Sequence, residues 1–296
     1  MNLLVTGAWG QVTDCIERLK KEHNVIFMQW ESEVLPCKYE WVEGIIGNAI
    51  FLSHSIEKFK NLKYIQLTSV GYDRVPMDYV KEHNIKIHNA KGVYSIPMAE
   101  FAIAGVLQLY KQTRYFNEKQ KEHQWAKQRG VLELNGKTVC IVGCGSVGTE
   151  CAKRFSAFGC KVIGIDLYQR NDISYQKMMK LNALDEVLLE TDILVLTLPL
   201  TEKTHYLMNA KRFEKLKEGA ILVNIARGAI VDTEALNHHL DKLGGAVMDV
   251  FEEEPLPEKS ELWDMQNVII SPHNSFVGDG NAERLNKVIL DNLERR

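Results

Sequence analysis

Short apolar segments alternate with amphipathic segments along almost the whole chain, a pattern typical of parallel sheets whose strands are joined by helices. The first series of predicted strands covers Leu3–Val5, Asn24–Phe27, Ala49–Leu52, Tyr64–Gln66 and Lys86–His88. The second series covers Thr138–Val142, Lys161–Asp166, Asp192–Leu196, Ala220–Ile225, Ala246–Val250 and Val268–Ile270. Six strands in succession indicate a doubly wound sheet, so we predict an α/β protein.

The length of the chain and one long helical segment indicate how these strands are divided. A chain of 296 residues is long enough for about two domains. Between the two series, a serine and a proline precede an amphipathic segment that reaches about Glu122. Pro97 suits the first turn of a helix, where its missing N–H removes no hydrogen bond. We predict one long helix from Pro97 that joins two domains.

Composition and charge exclude several classes of protein. With 45% apolar and 25% charged residues and a net charge of −3, the chain has no positive excess for binding nucleic acid or an anionic membrane. Its longest apolar run, Phe101–Leu107, is too short to span a bilayer. The N-terminus lacks the features of a signal peptide, so we expect a soluble, cytoplasmic protein. None of the 6 cysteines forms a Cys-x-x-Cys pair, and we predict neither disulfides nor a metal site.

A glycine-rich segment directly follows the predicted strand Thr138–Val142 and opens a helix, which is the required context for a dinucleotide-binding fingerprint. Gly143 allows the tight turn, Gly145 lets a pyrophosphate approach the backbone, and Gly148 lets the helix pack closely on the strand. N–H groups of the first helical turn would bind the anion. The predicted cofactor contacts of this segment are Gly143, Gly145, Ser146, Val147 and Gly148. The alternative is a tight turn with only a structural role.

The acid that ends the next predicted strand, Asp166, completes the fingerprint. Its carboxylate would accept hydrogen bonds from both hydroxyls of the adenosine ribose and would repel a 2′-phosphate. We therefore predict NAD as the cofactor, with NADP less favoured; Arg170 is the nearby residue that would favour NADP. Cys144 lies at a helix N-terminus, where a thiolate is stabilised. A redox role for this thiol is one hypothesis, and a small residue tolerated beneath the cofactor is the alternative.

A second glycine segment, Val5–Gly10, is reminiscent of the opening of short-chain dehydrogenases and epimerases. In this chain Thr13 occupies the third glycine position, and no Tyr-x-x-x-Lys pair follows on a long helix. We therefore interpret this segment as a strand-to-helix turn in a flavodoxin-like first domain.

Three segments at the ends of late predicted strands carry an arginine, a carboxylate and a histidine: Asn224–Gly228, Met248–Pro255 and Ser271–Asn274. In an open α/β sheet the ligand crevice lies at these strand ends. Together the segments resemble the Arg, Glu and His motifs of the D-isomer-specific 2-hydroxyacid dehydrogenase family. The resemblance extends in order along nearly the whole chain, through Ser69–Asp73, Gly92–Glu100, and Leu198–Thr201 with Thr204.

The resemblance implies a role for each catalytic side chain. Arg227 would hold the substrate carboxylate and polarise the ketone, which suits a planar, permanently charged fork. His273 would donate a proton to the forming alkoxide, and Glu254 would pair with His273 and favour its charged form. Taken singly, Arg227 is also compatible with a structural ion pair, and Glu252–Glu254 with a solvated acidic run.

The resemblance also implies residues that bind the substrate and the cofactor. Backbone N–H groups of Val70 and Gly71 would hold the substrate carboxylate together with Arg227 and His273. Asp249 would orient the nicotinamide amide. The remaining cofactor contacts implied in the same way are Leu198, Pro199, Thr204, Ile225 and Ala226. His54 is a further candidate for the border of the substrate pocket, with an ordinary loop histidine as the alternative.

For the fold, the resemblance implies a Rossmann NAD-binding domain, residues 97–276, inserted into a flavodoxin-like substrate domain of residues 1–96 and 277–296. It also implies a homodimer formed through the helix from Pro97 and the segment after it.

The activity implied is interconversion of a small 2-ketoacid and a D-2-hydroxyacid, with reduction of a glyoxylate-like or hydroxypyruvate-like substrate favoured. The alternatives are an NAD-sensing, corepressor-like binding protein and a phosphoglycerate dehydrogenase-like enzyme, for which Arg74 could serve a phosphorylated substrate. After the histidine the family usually has small residues, whereas this chain has Asn274-Ser275-Phe276. This departure leaves the substrate subclass open.

Overall fold

The computed structural model describes residues 1–10, 13–168 and 172–294, and the chain divides into two units. The first unit contains Met1–Tyr94 and Gly278–Arg296, and the second contains Ser95–Val277. These divisions lie two residues before and one residue after the predicted domain boundaries. The first one differs because Ser95 and Ile96 already belong to a helix.

Each unit is built on one parallel sheet. The strands of the first are β1 (Asn2–Thr6), β2 (Asn24–Met28), β3 (Gly44–Gly47), β4 (Tyr64–Leu67) and β5 (Lys86–His88). The strands of the second are β6 (Thr138–Val142), β7 (Lys161–Asp166), β8 (Lys177–Lys180), β9 (Ile193–Leu196), β10 (Ile221–Asn224), β11 (Gly245–Met248) and β12 (Val268–Ile270).

The helices lie mainly in the connections between these strands. They are α1 (Thr13–Lys20), α2 (Met77–Glu82), α3 (Ser95–Tyr110), α4 (Thr113–Lys121), α5 (Ser146–Ala157), α6 (Leu184–Val187), α7 (Ala210–Lys215), α8 (Thr233–His239) and α9 (Asn281–Glu294). None of the helices within the described ranges is long and apolar enough to cross a membrane.

Strand order confirms the predicted fold class. The first sheet has the order β2-β1-β3-β4-β5, the flavodoxin-like arrangement. The second has the order β12-β11-β10-β9-β6-β7-β8, in which the direction of strand addition reverses between β6 and β9, as in a doubly wound Rossmann sheet. In such sheets a ligand binds at the carboxyl ends of the strands beside this reversal, where β6 enters its glycine turn.

Burial on both faces explains why the central strands read as continuous apolar runs. Every residue of β3, β9, β10 and β11 is buried. Alternate residues of each strand enter separate apolar clusters on the two faces of the sheet. On one face of the first sheet, α9 contributes Leu285, Ile289 and Leu293 to the cluster that contains Leu3 and Val5. The C-terminal helix is therefore part of the first unit's core.

One predicted strand was wrong, and two strands of the structure, β3 and β8, were missed. The predicted strand Ala49–Leu52 lies just after β3, and Ile50–Leu52 forms a short 3-10 turn. The carboxylate of Glu31 accepts hydrogen bonds from the N–H groups of Asn48 and Ala49, both at 2.6 Å, which turns the chain out of the sheet. Strand β8 was missed because lysines occupy both of its ends and it pairs only with β7, at the edge of the sheet.

The predicted long helix from Pro97 to Glu122 is two helices, α3 and α4. The chain turns between them at Gln112, whose φ of 51° lies in the left-handed region that a helix does not contain. Amphipathic periodicity continues across this interruption, so the sequence pattern did not reveal it.

Candidate active site

In the glycine turn between β6 and α5, two of the three glycines are closely packed and the third faces open space. Gly143 has a φ of +95°, and a Cβ there would lie 2.6 Å from the backbone N of Leu198. A Cβ on Gly148 would lie 2.1 Å from the backbone O of Gly143. A Cβ on Gly145 would meet nothing within 4 Å. The backbone at Gly145, just before the first turn of α5, therefore faces space that an anion can enter.

Asp166, at the end of β7, is held against this turn. One carboxylate oxygen accepts a hydrogen bond from the N–H of Cys144 at 2.7 Å, and the other accepts from the N–H of Leu167 at 2.6 Å. The half-buried carboxylate thus lies beside the glycine turn, where a dinucleotide fold presents its acid to a ribose. Arg170 lies outside the described residues.

Burial of Cys144 argues against the redox hypothesis. The side chain is fully buried, with Sγ 3.7 Å from the carbonyl O of Ile141 and 3.6 Å from that of Ile165. A Cβ on Gly164 would lie 2.7 Å from this sulfur, so the thiol is enclosed between β6 and β7. Reactive thiols are accessible. The geometry favours a small residue tolerated within the packing.

The loop after β9 contains three of the predicted cofactor contacts, Leu198, Pro199 and Thr204. The Thr204 side chain is hydrogen-bonded to the backbone earlier in the same loop. The Thr204 hydroxyl donates to the carbonyl O of Pro199 at 2.8 Å and accepts from the N–H of Thr201 at 2.7 Å. Leu198 is buried against Gly143, whereas Pro199 is exposed. Thr204 therefore shapes the loop that lies next to the glycine turn.

The turn that presents Arg227 follows β10. Asn224 forms it: its Nδ2 donates to the carbonyl O of Arg227 at 3.0 Å, and its Oδ1 accepts from the N–H of Ala226 at 3.1 Å. Ile225 and Ala226 are buried, and Arg227 is half-buried. The guanidinium also donates to the carbonyl O of Ala226 at 2.7 Å.

Gly228 brings the arginine segment into contact with the glutamate segment. A Cβ on Gly228 would lie 1.9 Å from the carbonyl C of Phe251 and 2.4 Å from the N of Glu252. No side chain fits between these two backbones. The sequence motif contains this glycine, but only the three-dimensional structure shows which segment requires it.

His273 and Glu254 form a direct pair. His273 Nδ1 lies 2.8 Å from Glu254 Oε2, and Glu254 Oε1 accepts a hydrogen bond from the N–H of Phe251 at 3.0 Å. The ring nitrogen Nε2 is turned away from the carboxylate, and the His273 side chain is 44% exposed. The imidazole thus combines a held orientation with access to a bound molecule. Phe276 contacts it edge to face, with ring centroids 6.2 Å apart.

Asp249 is the most buried carboxylate of this region, at 1% exposure. It accepts hydrogen bonds from Ser271 Oγ and from the N–H of Asn274, both at 2.7 Å. It also accepts from the N–H of Ser275 at 3.0 Å and, at short range, from its hydroxyl. Sequence reasoning missed the two serines as functional residues, although Ser275 belongs to the departure noted after the histidine.

The acidic run is not uniformly solvated. Glu252 accepts hydrogen bonds from the Tyr206 hydroxyl at 2.6 Å and from the N–H of Thr233 at 2.8 Å. Burial raises the pKa of Glu252, but the hydrogen bonds from Thr233 and Tyr206 outweigh it and hold this pKa below its ordinary value. Glu252, Glu253 and Glu254 are all exposed, so the run does lie at the surface, but Glu252 and Glu254 have separate hydrogen-bond partners there.

In the first unit, the predicted substrate-binding backbone of Val70 and Gly71 follows β4. Asn89 Nδ2 donates to the carbonyl O of Val70 at 2.7 Å, and the Ser69 hydroxyl donates to that of Gly71 at 3.4 Å. These bonds hold the carbonyl groups of the loop.

His54 lies in the core of the first unit. Its side chain is buried, with 6% exposure, and its Nδ1 lies 2.9 Å from the Tyr39 hydroxyl oxygen. This placement favours a packed core histidine over one that borders a pocket. Within residues 1–10, 13–168 and 172–294, no three His, Cys, Asp or Glu side chains are grouped to hold a metal ion.

Comparison with known proteins identifies the family. Residues 103–275 match the family model for the NAD binding domain of the D-isomer specific 2-hydroxyacid dehydrogenases. A glyoxylate reductase of Thermofilum pendens is 34% identical over 241 residues, which cover 79% of this chain and 71% of that protein. A hydroxypyruvate reductase of Thermotoga maritima is 34% identical over 247 residues, covering 81% and 78%. The chain belongs to the D-isomer specific 2-hydroxyacid dehydrogenase family.

Solved structures share the complete fold. The D-lactate dehydrogenase from Aquifex aeolicus, complexed with NAD and lactic acid, has a TM-score of 0.81 at 27% identity, over 99% of this chain and 94% of that one. A family member from Xanthobacter autotrophicus, in complex with NADPH and MES, has a TM-score of 0.80 at 26% identity, with the same coverage of 99% and 94%. Relatives named as reductases and dehydrogenases confirm the enzyme interpretation over an NAD-sensing binding protein.

Proposed function

We propose that this chain is an NADH-dependent reductase of small 2-ketoacids in which His273 transfers the proton. The observation that carries this proposal is the 2.8 Å pair between His273 Nδ1 and Glu254 Oε2. A carboxylate at Nδ1 stabilises the protonated imidazole and leaves the Nε2 proton for a substrate oxygen. Glu254 itself is held by the N–H of Phe251, so it acts as an orienting anion.

We assign substrate binding to Arg227 and to the N–H groups of Val70 and Gly71. A guanidinium can bind a carboxylate through two parallel hydrogen bonds and withdraw electron density from the adjacent ketone. The turn built by Asn224 supports this role, because it holds the carbonyl O of Arg227 in place. In this proposal residues 1–96 and 277–296 form the substrate domain, and residues 97–276 form the cofactor domain.

The residues of the glycine turn fit a dinucleotide. Gly145 leaves room for a pyrophosphate, and Asp166 lies against the same turn. The proposed contacts are Gly143, Gly145, Ser146, Val147, Gly148, Asp166, Leu198, Pro199, Thr204, Ile225, Ala226 and Asp249. NADH, when bound, supplies the hydride for the ketone carbon. We propose NADH over NADPH because the Asp166 carboxylate would repel a 2′-phosphate, although a relative's structure is described as a complex with NADPH.

For the substrate we propose glyoxylate or hydroxypyruvate. Relatives that share 34% of their aligned residues with this chain are named for these two activities. A phosphorylated substrate would need a cation, for which Arg74 is the candidate.

The test is steady-state oxidation of NADH and NADPH with glyoxylate, hydroxypyruvate, pyruvate, phosphohydroxypyruvate and a branched-chain 2-ketoacid. We expect turnover with one of the first two, and roughly 10²- to 10⁴-fold lower kcat in His273→Ala, because general acid catalysis contributes that much. Arg227→Ala should lose most turnover. His83→Ala, which removes an exposed histidine of the first unit, is the matched control. Near-normal activity of His273→Ala, or no turnover of any 2-ketoacid by the unmodified enzyme, would refute the proposal.

We also propose a cytoplasmic homodimer. Among the residues that the structure describes, none of the 6 cysteines forms a disulfide, as in a reducing compartment. The segment that follows α4 exposes Trp125 almost completely, at 98%, and Leu132 at 45%, and a second copy would cover such apolar groups. Sedimentation equilibrium should give twice the chain mass of 33.8 kDa, and Trp125→Ala should weaken the association. A monomer at micromolar concentration would contradict this part of the proposal.

A further inference from the structure

The segment that carries His273 is attached to the buried carboxylate of Asp249 on both sides of the histidine. Before it, the Ser271 hydroxyl donates to Asp249 Oδ1 at 2.7 Å. After it, the N–H of Asn274 donates to Oδ1 at 2.7 Å, and the N–H and hydroxyl of Ser275 both reach the carboxylate. Asp249, Ser271 and Ser275 are all at least nine-tenths buried. Protein groups therefore replace water around this carboxylate.

The backbone of His273 needs such support. Its φ of 51° lies in the left-handed region, which residues with a Cβ adopt only at a cost in conformational free energy. Its N–H donates to the carbonyl O of Asp249 at 2.8 Å, so the same residue holds the histidine through its main chain and the flanking segment through its side chain. A strained conformation persists only where surrounding bonds determine it.

Ser275 makes the contribution that is specific to its side chain. Asp249 Oδ1 accepts from three donors, whereas Oδ2 has the Ser275 hydroxyl and a 3.1 Å bond from the Ser275 N–H, which is shared with Oδ1. Alanine at position 275 would keep the N–H and remove the hydroxyl. The buried oxygen Oδ2 would then lack its main donor, a loss that the segment can reduce only by moving.

We infer that Ser275 is a positioning residue for proton transfer: through the carboxylate of Asp249, its hydroxyl fixes the left-handed backbone of His273 and thereby the alignment of the imidazole with Glu254. The inference rests on the proposed role of His273. It also gives the side chain of Asp249 a role in positioning the histidine segment, beside the cofactor contact proposed above.

Ser275→Ala separates these two roles of Asp249. If the carboxylate positions His273, kcat should fall roughly tenfold, since a displacement of about 1 Å can reduce a rate by up to 10²-fold. KM for NADH and for the 2-ketoacid should stay within about twofold. Ser271→Ala should have a smaller effect, because Oδ1 retains the N–H donors of Asn274 and Ser275. Ser156→Ala, which removes one hydroxyl hydrogen bond on the exposed side of α5, is the control and should change nothing.

A second measurement does not depend on turnover. In the protein labelled with ¹³C at histidine rings, the His273 signal, assigned with His273→Ala, should broaden or split in Ser275→Ala and stay unchanged in Ser156→Ala. Two results would overturn the inference: a kcat within twofold of the unmodified enzyme together with an unchanged His273 signal, or a tenfold higher KM for NADH at unchanged kcat. If the unmodified enzyme reduces no 2-ketoacid, the proposed function fails, and the ring signal still decides whether Ser275 positions His273.

Discussion

Two strand–turn–helix segments of this chain have the same order of backbone elements but different side-chain contacts. β1 leads through a turn at Gly7–Gly10 towards α1, and β6 leads through the turn at Gly143–Gly148 to α5. Each strand has a parallel neighbour on both sides, and each turn lies at its carboxyl end. Both turns contain a glycine with positive φ, +89° at Gly10 and +95° at Gly143. By backbone plan alone, either turn could hold a dinucleotide.

Side chains distinguish the two turns. In the first, the Trp9 side chain is buried, with 3% exposure, and its Nε1 donates a hydrogen bond to Asn286 Oδ1 of α9 at 2.8 Å. In the second, Gly145 faces open space. The acids after the second strands differ as well: Asp166 bonds to the turn itself, whereas Glu31 bonds to Thr6 and to the segment after β3. A glycine turn is thus a structural device in one unit and a candidate cofactor site in the other.

The largest expected difference between the turns comes from adding one methyl group to each. Gly148→Ala places a Cβ 2.1 Å from the backbone O of Gly143, so we expect a loss of about 2–3 kcal/mol in unfolding free energy and at least tenfold weaker NADH binding. Gly10→Ala meets no neighbour within 4 Å, but a φ of 89° with a ψ of −145° is a conformation that essentially only glycine adopts, so we expect a loss of about 1–3 kcal/mol, with NADH binding unchanged. Chemical denaturation and fluorescence titration measure both quantities. Equal effects on NADH affinity would remove the distinction.

The two acids provide the next comparison. Asp166→Asn should reduce the preference for NADH over NADPH by roughly tenfold, because one unit of charge repulsion near the ribose is removed. In Glu31→Gln, one carboxylate oxygen becomes an NH₂ group that cannot accept the hydrogen bond from the N–H of Asn48 or of Ala49. We therefore expect the unfolding free energy to fall by about 1–2 kcal/mol, with no change in the kinetics with either cofactor. The ratio of kcat/KM for NADH and NADPH is the measurement. A changed ratio in Glu31→Gln would mean that the first unit takes part in cofactor recognition, against the assignment of this role to Asp166.

The smallest expected effect is that of Trp9→Phe. This change keeps most of the buried ring and removes the hydrogen bond to Asn286, so we expect about 1 kcal/mol lower stability. NADH affinity should not change. Thermal unfolding of the variant, compared with Trp30→Phe at a position that is 63% exposed, isolates the buried contact. A changed NADH affinity in Trp9→Phe would mean that the first turn also contributes to dinucleotide binding.

Much of the fold could be predicted because short apolar, β-rich runs between turn residues leave a local pattern in the sequence. β5, β6, β7 and β12 have the predicted bounds. The errors lie where local pattern and long-range contact disagree. Ala49–Leu52 is apolar enough for a strand, yet Glu31 ends β3 before it. Gln112 interrupts a helix whose periodicity continues on both sides.

The candidate site divides in the same way. Arg227, Glu254 and His273 were proposed from the short motifs that carry the family resemblance, and their roles remain a prediction. The contacts that support them could not be proposed in this way. Gly228 is required by the backbone of Phe251, and Ser275 by a carboxylate 26 positions earlier in the chain. Neither relation has a local signature, because each depends on which strands become neighbours.

The amino-acid sequence by itself therefore determined the α/β class and the glycine fingerprint, which follow from local periodicity and fixed spacing. It also carries the motifs by which the chain resembles a dehydrogenase family. Only the tertiary structure decided that the first glycine turn is packed by Trp9, whose hydrogen-bond partner Asn286 lies in a helix 277 positions away. It also decided that His273 lies in a strained turn around the carboxylate of Asp249. Burial and hydrogen bonding between distant segments exist only once the sheets have formed, and they give the motifs their geometry.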